Sequence, residues 1–552
     1  MRPGTLLARL ALALVGLPIW ANAQEVRVCL GDTVDEFNNA VLASECDYAQ
    51  ISEVMGLMDS GDLSRDTQVR VYHPGTSGPY DPFVVRGDVS IVGVLAGNSG
   101  ELPPVGGNSS SVEVECEASC TVLLADLAIR VTDSPGLVSV GLVPSVTNLS
   151  GIVFETPLVV QNDVAVLMGN AAQVNASQSS LSTLNQRIVV RDDALLIWVD
   201  GVMQSTNGRV LRATAGGRVS LQRVDVFAGG SEPSLVVDSG ATLEILGTPG
   251  FVGQTQILGQ TGAGIPRTDS PIAVVDGGTL SVADVTLSGG NSQQPGGLVS
   301  VRNNGSLIIR DSRLNEAASP NGGLIHADGA FAVVIRNSEL ADGSATERGG
   351  LVSVNNTADV VFENVVLTRG NAGVEGGGLY LRNSEGRISG GEISFNGLNG
   401  IANGLVGGGV SQLGGEFVFE GGVFVQANEA NEGAGLALER GTVVVHGATF
   451  QQNEAIKGGA IRSFGTTGDN AFVVLQESRR HQAPFERLVE SLQLSGLLRK
   501  PAPHMACRPY ALRARLALDP IQPVQILLDV GSDHLERKGP VHIPGRGQEA
   551  VR

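Results

Sequence analysis

A glycine cluster followed by an apolar residue recurs along this chain, and such spacing is incompatible with one compact hydrophobic core. The marks fall at Gly297-Leu298, Gly323-Leu324, Gly350-Leu351, Gly378-Leu379, Gly409-Val410, Gly435-Leu436 and Gly459-Ala460. Successive marks are roughly 24 to 31 residues apart, the signature of an imperfect repeat of about 26 residues with loops of unequal length. Strand-like alternation follows each mark. Leu298-Val299-Ser300-Val301 leads through Asn303-Asn304-Gly305 into Ser306-Leu307-Ile308-Ile309, and Leu436-Ala437-Leu438 leads past Gly441 into Thr442-Val443-Val444-Val445.

Each unit offers about three strands of three to five residues, too few to enclose a core alone. Stacking resolves this: every strand pairs with its counterpart in the coils above and below, about 4.8 Å away, and inward aliphatic side chains line a continuous interior. Composition agrees. The 552 residues include 74 glycines but only 4% aromatic residues, which suits a narrow interior of small aliphatic side chains with sharp corners. Looser copies occur upstream at Thr242–Leu246, Thr279–Val282, Ile188–Val190 and Val219–Leu221. The expected fold is all-β, a parallel β-helix solenoid over residues 66–475 with a short N-terminal helical cap.

The N-terminus reads as a processing segment. Arg2 and Arg9 supply positive charge, Leu10 to Trp20 form an apolar run, and Ala21-Asn22-Ala23 provides a small-x-small cleavage pattern. Residues 1–23 are therefore a signal peptide, since the run is too short to span a bilayer. Residues 24–65 form a capping segment, with helix-like spacing of Phe37, Val41, Leu42, Ile51, Val54 and Met55 between Glu36 and Met58. Export permits disulfides. Sequence proximity pairs Cys29 with Cys46 and Cys116 with Cys120, one of three connectivities that four cysteines allow. Cys507 is left over.

Two sets of residues resemble known right-handed parallel β-helix proteins. Val69-Arg70-Val71-Tyr72-His73-Pro74-Gly75, followed by Val89-Ser90-Ile91-Val92-Gly93, looks like the opening coil of pectin-lyase-like folds. Phe450-Gln451-Gln452-Asn453 followed by Gly458-Gly459-Ala460-Ile461 matches the Phe-x-x-Asn and Gly-Gly-Ala-Ile repeats of polymorphic outer-membrane proteins. Ser394-Phe395-Asn396 and Phe424 to Asn428 are degenerate versions. The resemblance implies right-handed coils and an exported protein, secreted or on the cell surface or outer membrane of a Gram-negative-type bacterium. It departs from that family after Leu475, where no ten-residue alternating strands follow.

Residues 476–552 read as an atypical tail, frameshifted or disordered, with a separate C-terminal domain bearing a helical cap over Phe485 to Leu498 as the competing explanation. From Glu477 onward there are 12 Arg and Lys against 8 Asp and Glu, with His481, His504, His534 and His542, whereas the whole chain carries a net charge of −19. The repeat breaks off at Phe472-Val473-Val474-Leu475. Lys is scarce and Arg common in the body, as in a GC-rich gene, and out-of-frame reading of such DNA yields Arg, Pro, Ala and His.

An anionic chain repels phosphates, which excludes nucleic acid as a partner. No catalytic set, cofactor site or metal set stands out, and Ca²⁺ is the one cation that the acidic surface leaves open. Asp192-Asp193 lacks the Asn-x-Asp partner and Gly-His-Gly that the glycosidases of this fold carry, and it reads as a solvated turn. Arg86-Gly87-Asp88 spells an adhesive tripeptide, a three-residue match in front of a strand. His326 and His446 stand in separate coils without ligand-spaced neighbours. The expected function is a non-enzymatic surface or secreted protein, a passenger in adhesion or structure, with an unknown surface ligand or a polysaccharide as partner and no transmembrane helix. The alternative is a polysaccharide lyase or glycoside hydrolase, which a face gathering three acidic residues beside an arginine would favour.

Overall fold

The computed structural model describes residues 24–30, 46–74, 79–94, 101–106, 110–131, 134–140, 145–155, 164–183, 185–259, 269–398, 404–464, 471–477 and 524–529. The signal peptide, Cys507 and almost all of the tail lie outside them. The fold is a parallel β-solenoid. The chain divides into two compact units, Met1–Ser182 with Ala194–Ile197 and Thr183–Asp193 with Trp198–Arg552.

In the first unit, Glu25–Val28, Gln68–Tyr72, Val89–Val94, Cys120–Ala125, Ser145–Ser150 and Gln173–Ser177 pair in that order, all parallel. Glu25–Val28 lies within the segment read as a cap, yet it already belongs to the first coil, because its alternating Val26 and Val28 bury beside Val69 and Val71. A helix lies in the stretch that the sequence spacing marks. It runs over Ile51–Ser60 (α1), while residues 31–45 lie outside the described part. Ile51, Val54, Met55 and Met58 bury one face of α1, which packs on strand Phe83–Val85. Glu53 accepts the backbone N–H of Ala49 and Gln50, satisfying donors at the helix start, and Gly61 ends the helix at φ +84°. Disulfides join Cys29 to Cys46 and Cys116 to Cys120, with Cα separations of 5.7 and 6.1 Å.

The second unit carries the regular repeats. Each coil contributes a strand to a first stack (Val299–Arg302, Ile325–Asp328, Val352–Asn355), a second (Thr279–Ala283, Ser306–Arg310, Ala332–Arg336) and a third (Thr286–Ser288, then the starts of Arg313–Asn321 and Glu339–Arg348). Alternation sorts the side chains. Leu280, Leu307, Val333 and Val360 form one inward column, and Val282, Ile309, Ile335 and Phe362 form the next, all fully buried. Burying each such side chain contributes about 1.5–3 kcal/mol relative to leaving it in water. A fourth, short stack also forms, from Ala317–Asn321 against Gly343–Arg348 and from Glu429–Glu432 against Glu454–Lys457.

The glycine marks have a steric cause. Gly349 sits at φ +65°, and a Cβ there would lie 2.3 Å from the Val352 carbonyl oxygen. At Gly350 a Cβ would lie 2.1 Å from the carbonyl oxygen of Gly377, its counterpart on the next coil. Coils therefore stack at this corner on bare backbone, and the same pairing repeats from Gly297 onto Gly323 and from Gly323 onto Gly350.

Asparagine secures a second corner. Asn396 Nδ2 donates to Asn428 Oδ1 at 3.0 Å, and Asn428 Nδ2 donates to Asn453 Oδ1 at 2.9 Å, forming an amide ladder whose first two members are buried. The inward residue three places before each asparagine is Ile393, Val425 and Phe450, in register across the coils. Phe395 and Phe424, which look like degenerate repeat residues in the sequence, are thus out of register and point outward, 50% and 47% exposed.

The final solenoid strand, Ala471–Glu477, is met antiparallel by Val524–Asp529.

Candidate functional site

Where the repeat is least regular, the second unit builds a groove. Strand Thr242–Leu246 and strand Gln256–Leu258 are separated by residues 247–255, whereas the next coil turns the same corner between Ala283 and Thr286. The longer connection stands over the third stack. Its Gly250 N–H donates to Asp284 Oδ1 at 2.9 Å, and Gln256 Nε2 donates to the Gly253 carbonyl at 3.0 Å. Phe251 at its tip is 58% exposed. Beneath it lies an open groove of about 1290 Å³.

The floor is a column of side chains in register along the third stack, Gln256, Thr286, Arg313, Glu339 and Val366. One wall is the preceding corner, where Asp284, Asp311, Asn337 and Asn364 all adopt φ between 47° and 58°. Their short polar side chains tolerate this left-handed conformation and bond from coil to coil. Asn337 donates to Asp311 at 3.2 Å and Asn364 donates to Asn337 at 3.2 Å. Asn315 also lines the groove, and its buried Oδ1 has no hydrogen-bond partner among the described residues.

Three arginines (Arg223, Arg310, Arg313) and three carboxylates (Asp284, Asp311, Glu339) line the groove, so its charge balances. Several of these groups are engaged. Arg223 grips Asp200 through two bonds of 2.6 and 2.8 Å. Arg313 lies 3.7 Å from Glu339, and Arg369 lies 4.0 Å from it. At the next corner Arg369 donates to both oxygens of Asp342, at 2.6 and 2.8 Å, and these bonds hold the Asp342 carboxyl below its ordinary pKa range. A general acid requires the opposite shift. Among the described residues, the carboxyl that burial pushes upward, Asp126, is in the first unit at the corner after Cys120–Ala125 and does not line this groove.

The residues singled out from the sequence are dispersed. Asp192 and Asp193 sit at an exposed corner with φ of 53° and 60°, where Asp192 pairs with Arg191 at 3.2 Å, an arrangement that fits a turn. In the tripeptide, Arg86 is bound to Asp59 at 3.0 Å and to Glu115 at 3.5 Å, and Asp88 accepts the Thr121 N–H at 2.7 Å, so both charges have internal partners. His326 stacks between Ser300 and Ser353, and burial lowers its pKa. His446 lies in a different stack, in register with Gln476. Among the described residues, no group of three or more His, Cys, Asp or Glu side chains is placed to hold a metal ion, and no helix is long and apolar enough to cross a membrane.

The groove itself is absent from the motif reading. Its floor residues are 26 to 30 positions apart, so only the register brings them together. The signal available in the sequence was negative, a repeat stretched by the Gly247-Thr248-Pro249-Gly250 insertion. Comparison with protein-family models, with curated proteins and with solved structures finds no match to this chain.

Proposed function

We propose that this protein is an exported solenoid, secreted or displayed at the cell surface, that holds an extended polysaccharide in its groove without cleaving it. The observation carrying this reading is the floor column, in which Gln256, Thr286, Arg313 and Glu339 repeat hydrogen-bonding side chains at one coil spacing. A surface periodic at about 4.8 Å suits a ligand that is itself a repeating chain. Two disulfides and the apolar N-terminal run followed by Ala21-Asn22-Ala23 support export. The Gly-Gly-Ala-Ile and Phe-x-x-Asn motifs support a surface passenger of the polymorphic outer-membrane type.

A second reading, a lyase or hydrolase of pectin-lyase-like type, draws on one specific observation. The groove does gather Asp284, Asp311 and Glu339 beside arginines. Against turnover, Asp284 and Asp311 are tied to the overhanging loop and the corner ladder, and Glu339 is shared between Arg313 and Arg369. Paired carboxylates cleave a glycosidic bond only when both converge on it. A depolymerisation screen over plant, bacterial and animal polysaccharides, with and without Ca²⁺, decides between them. Retention of a polysaccharide on immobilised protein with no new reducing or unsaturated ends is the expected result, and sustained release of such ends would overturn the binding reading.

A further inference from the structure

The stack that floors the groove runs on past Val366, the last of its residues to line it. In register, Val366 pairs with Glu392, Glu392 with Phe424 and Phe424 with Thr449, so the column passes from Thr286 to an exposed phenylalanine in five coil steps, about 24 Å. Beside it runs the next corner, where Asp342, Arg369, Phe395, Ala427 and Gln452 occupy equivalent positions with φ between 51° and 56°.

Phe395 is the anomaly in that corner. A bulky aromatic residue at positive φ is strained, and the position gives it no burial in return, since half of its surface meets solvent. Asn or Gly would satisfy the same backbone without strain. Phe424 repeats the mismatch on a strand, 47% exposed, where the next coil has Thr449, and Leu398 nearby in sequence is 49% exposed. Neither phenylalanine belongs to the repeat, whose inward positions are Ile393 and Val425.

We propose that Phe395 and Phe424 form an aromatic platform on the coils just beyond the groove, along the same stack, packing against the C–H face of sugar rings in a neutral, equatorially hydroxylated glycan. This rests on the binding reading above and specifies its ligand. Hydroxyl groups around the ring edge meet the amides and charged groups of the floor. Ring faces bearing only C–H bonds meet the aromatic surfaces, which carry a large apolar area and a partly negative face. A neutral ligand follows from the charge along this run: three arginines offset three carboxylates in the groove lining, Arg369 offsets Asp342 at the next corner, and Glu392 on the way to Phe424 leaves no excess cation for a polyanion.

The test uses the full secreted protein with cellohexaose, a neutral β-1,4-linked hexasaccharide, in parallel with oligogalacturonate as an anionic comparator. Phe395→Asn with Phe424→Thr should weaken cellohexaose binding about tenfold in isothermal titration, while Phe395→Asn alone raises the melting temperature by about 2 °C through relief of the strained corner. Lost affinity with gained stability separates a ligand contact from a structural one. Phe424→Thr, on a regular strand, provides a second variant that the corner cannot disturb. Wild-type affinity in the double variant, with Arg313→Ala/Asn315→Ala still abolishing binding, would overturn the platform alone. Failure of the wild-type protein to bind either oligosaccharide would overturn the binding reading with it. A preference for oligogalacturonate, or a change of oligomeric state in the double variant without change in glycan affinity, would also overturn the platform.

Discussion

Replacing Asn428 by alanine should unfasten the coils around it. Asn428 makes four hydrogen bonds across coils: Nδ2 donates to the Ile393 carbonyl and to Asn453 Oδ1, both at 2.9 Å, and Oδ1 accepts the Asn396 backbone N–H and Nδ2, both at 3.0 Å. The side chain is fully enclosed, so water does not already serve these groups. At about 1 kcal/mol net for each bond, the loss is about 4 kcal/mol, with a further cost for buried partners left unsatisfied. A solenoid distributes stability between neighbouring coils, so the loss should be local. Hydrogen–deuterium exchange is the appropriate assay. Amides of Val410–Gln412 and Leu436–Leu438 should exchange about a thousandfold faster in Asn428→Ala, the equivalent of about 4 kcal/mol, while those of Gln68–Tyr72 stay unchanged. Asn356→Gly is the control, since it removes only exposed corner bonds, of 3.0 Å to Asp328 and 3.4 Å from Asn383, keeps the positive φ of that corner accessible, and should cost about 1 kcal/mol or less. An acceleration below tenfold at the Asn428 coils would refute the idea that the amide ladder clamps them.

Other consequences follow from the same contacts. Gly350→Ala forces a Cβ to within 2.1 Å of the Gly377 carbonyl, so the coils must separate locally, and urea denaturation should register a loss of at least about 2 kcal/mol, against no loss for an alanine at exposed Gly56 of α1, where nothing lies within 4 Å of the added Cβ. The Asp342 carboxyl has a folded-state pKa below its unfolded value near about 3.9, so its contribution is complete above that pH and disappears as the pH falls through the folded value. Arg369→Met should flatten the fall in melting temperature below pH 4, and an unaltered acid profile would remove Arg369 as its cause. If the tail is an out-of-frame translation, the DNA beyond codon 475 should encode further Gly-Gly repeats in another frame, which sequencing the locus and translating all three frames decides.

The parts of the fold visible in the sequence are those imposed by local sterics. Gly349 and Gly350 admit no other residue without displacing backbone, and the alternation in Ser306–Arg310 buries Leu307 and Ile309 as its period demands. The fourth stack was not visible, because Arg313–Asn321 and Glu339–Arg348 are rich in Ala, Ser and Glu and carry little β-branched patterning. Register was the larger loss. Aligning Phe395 and Phe424 with Phe450 places them inside, but the true partners are Ile393 and Val425, and a slip within a strand transfers a side chain to the opposite face. The same long-range register assembles the groove from residues one coil apart, which no local motif encodes.

Hydrogen–deuterium exchange with and without saturating cellohexaose tests the binding groove most directly. Protection should appear in residues 247–256 and on the third stack at Thr286–Ser288, Arg313–Asn315, Glu339–Ala341, Val366–Thr368 and Phe424–Gln426. The outward faces of the second stack should remain unprotected. Protection confined to the second stack or to the first unit, or no protection at concentrations that saturate binding, would contradict it.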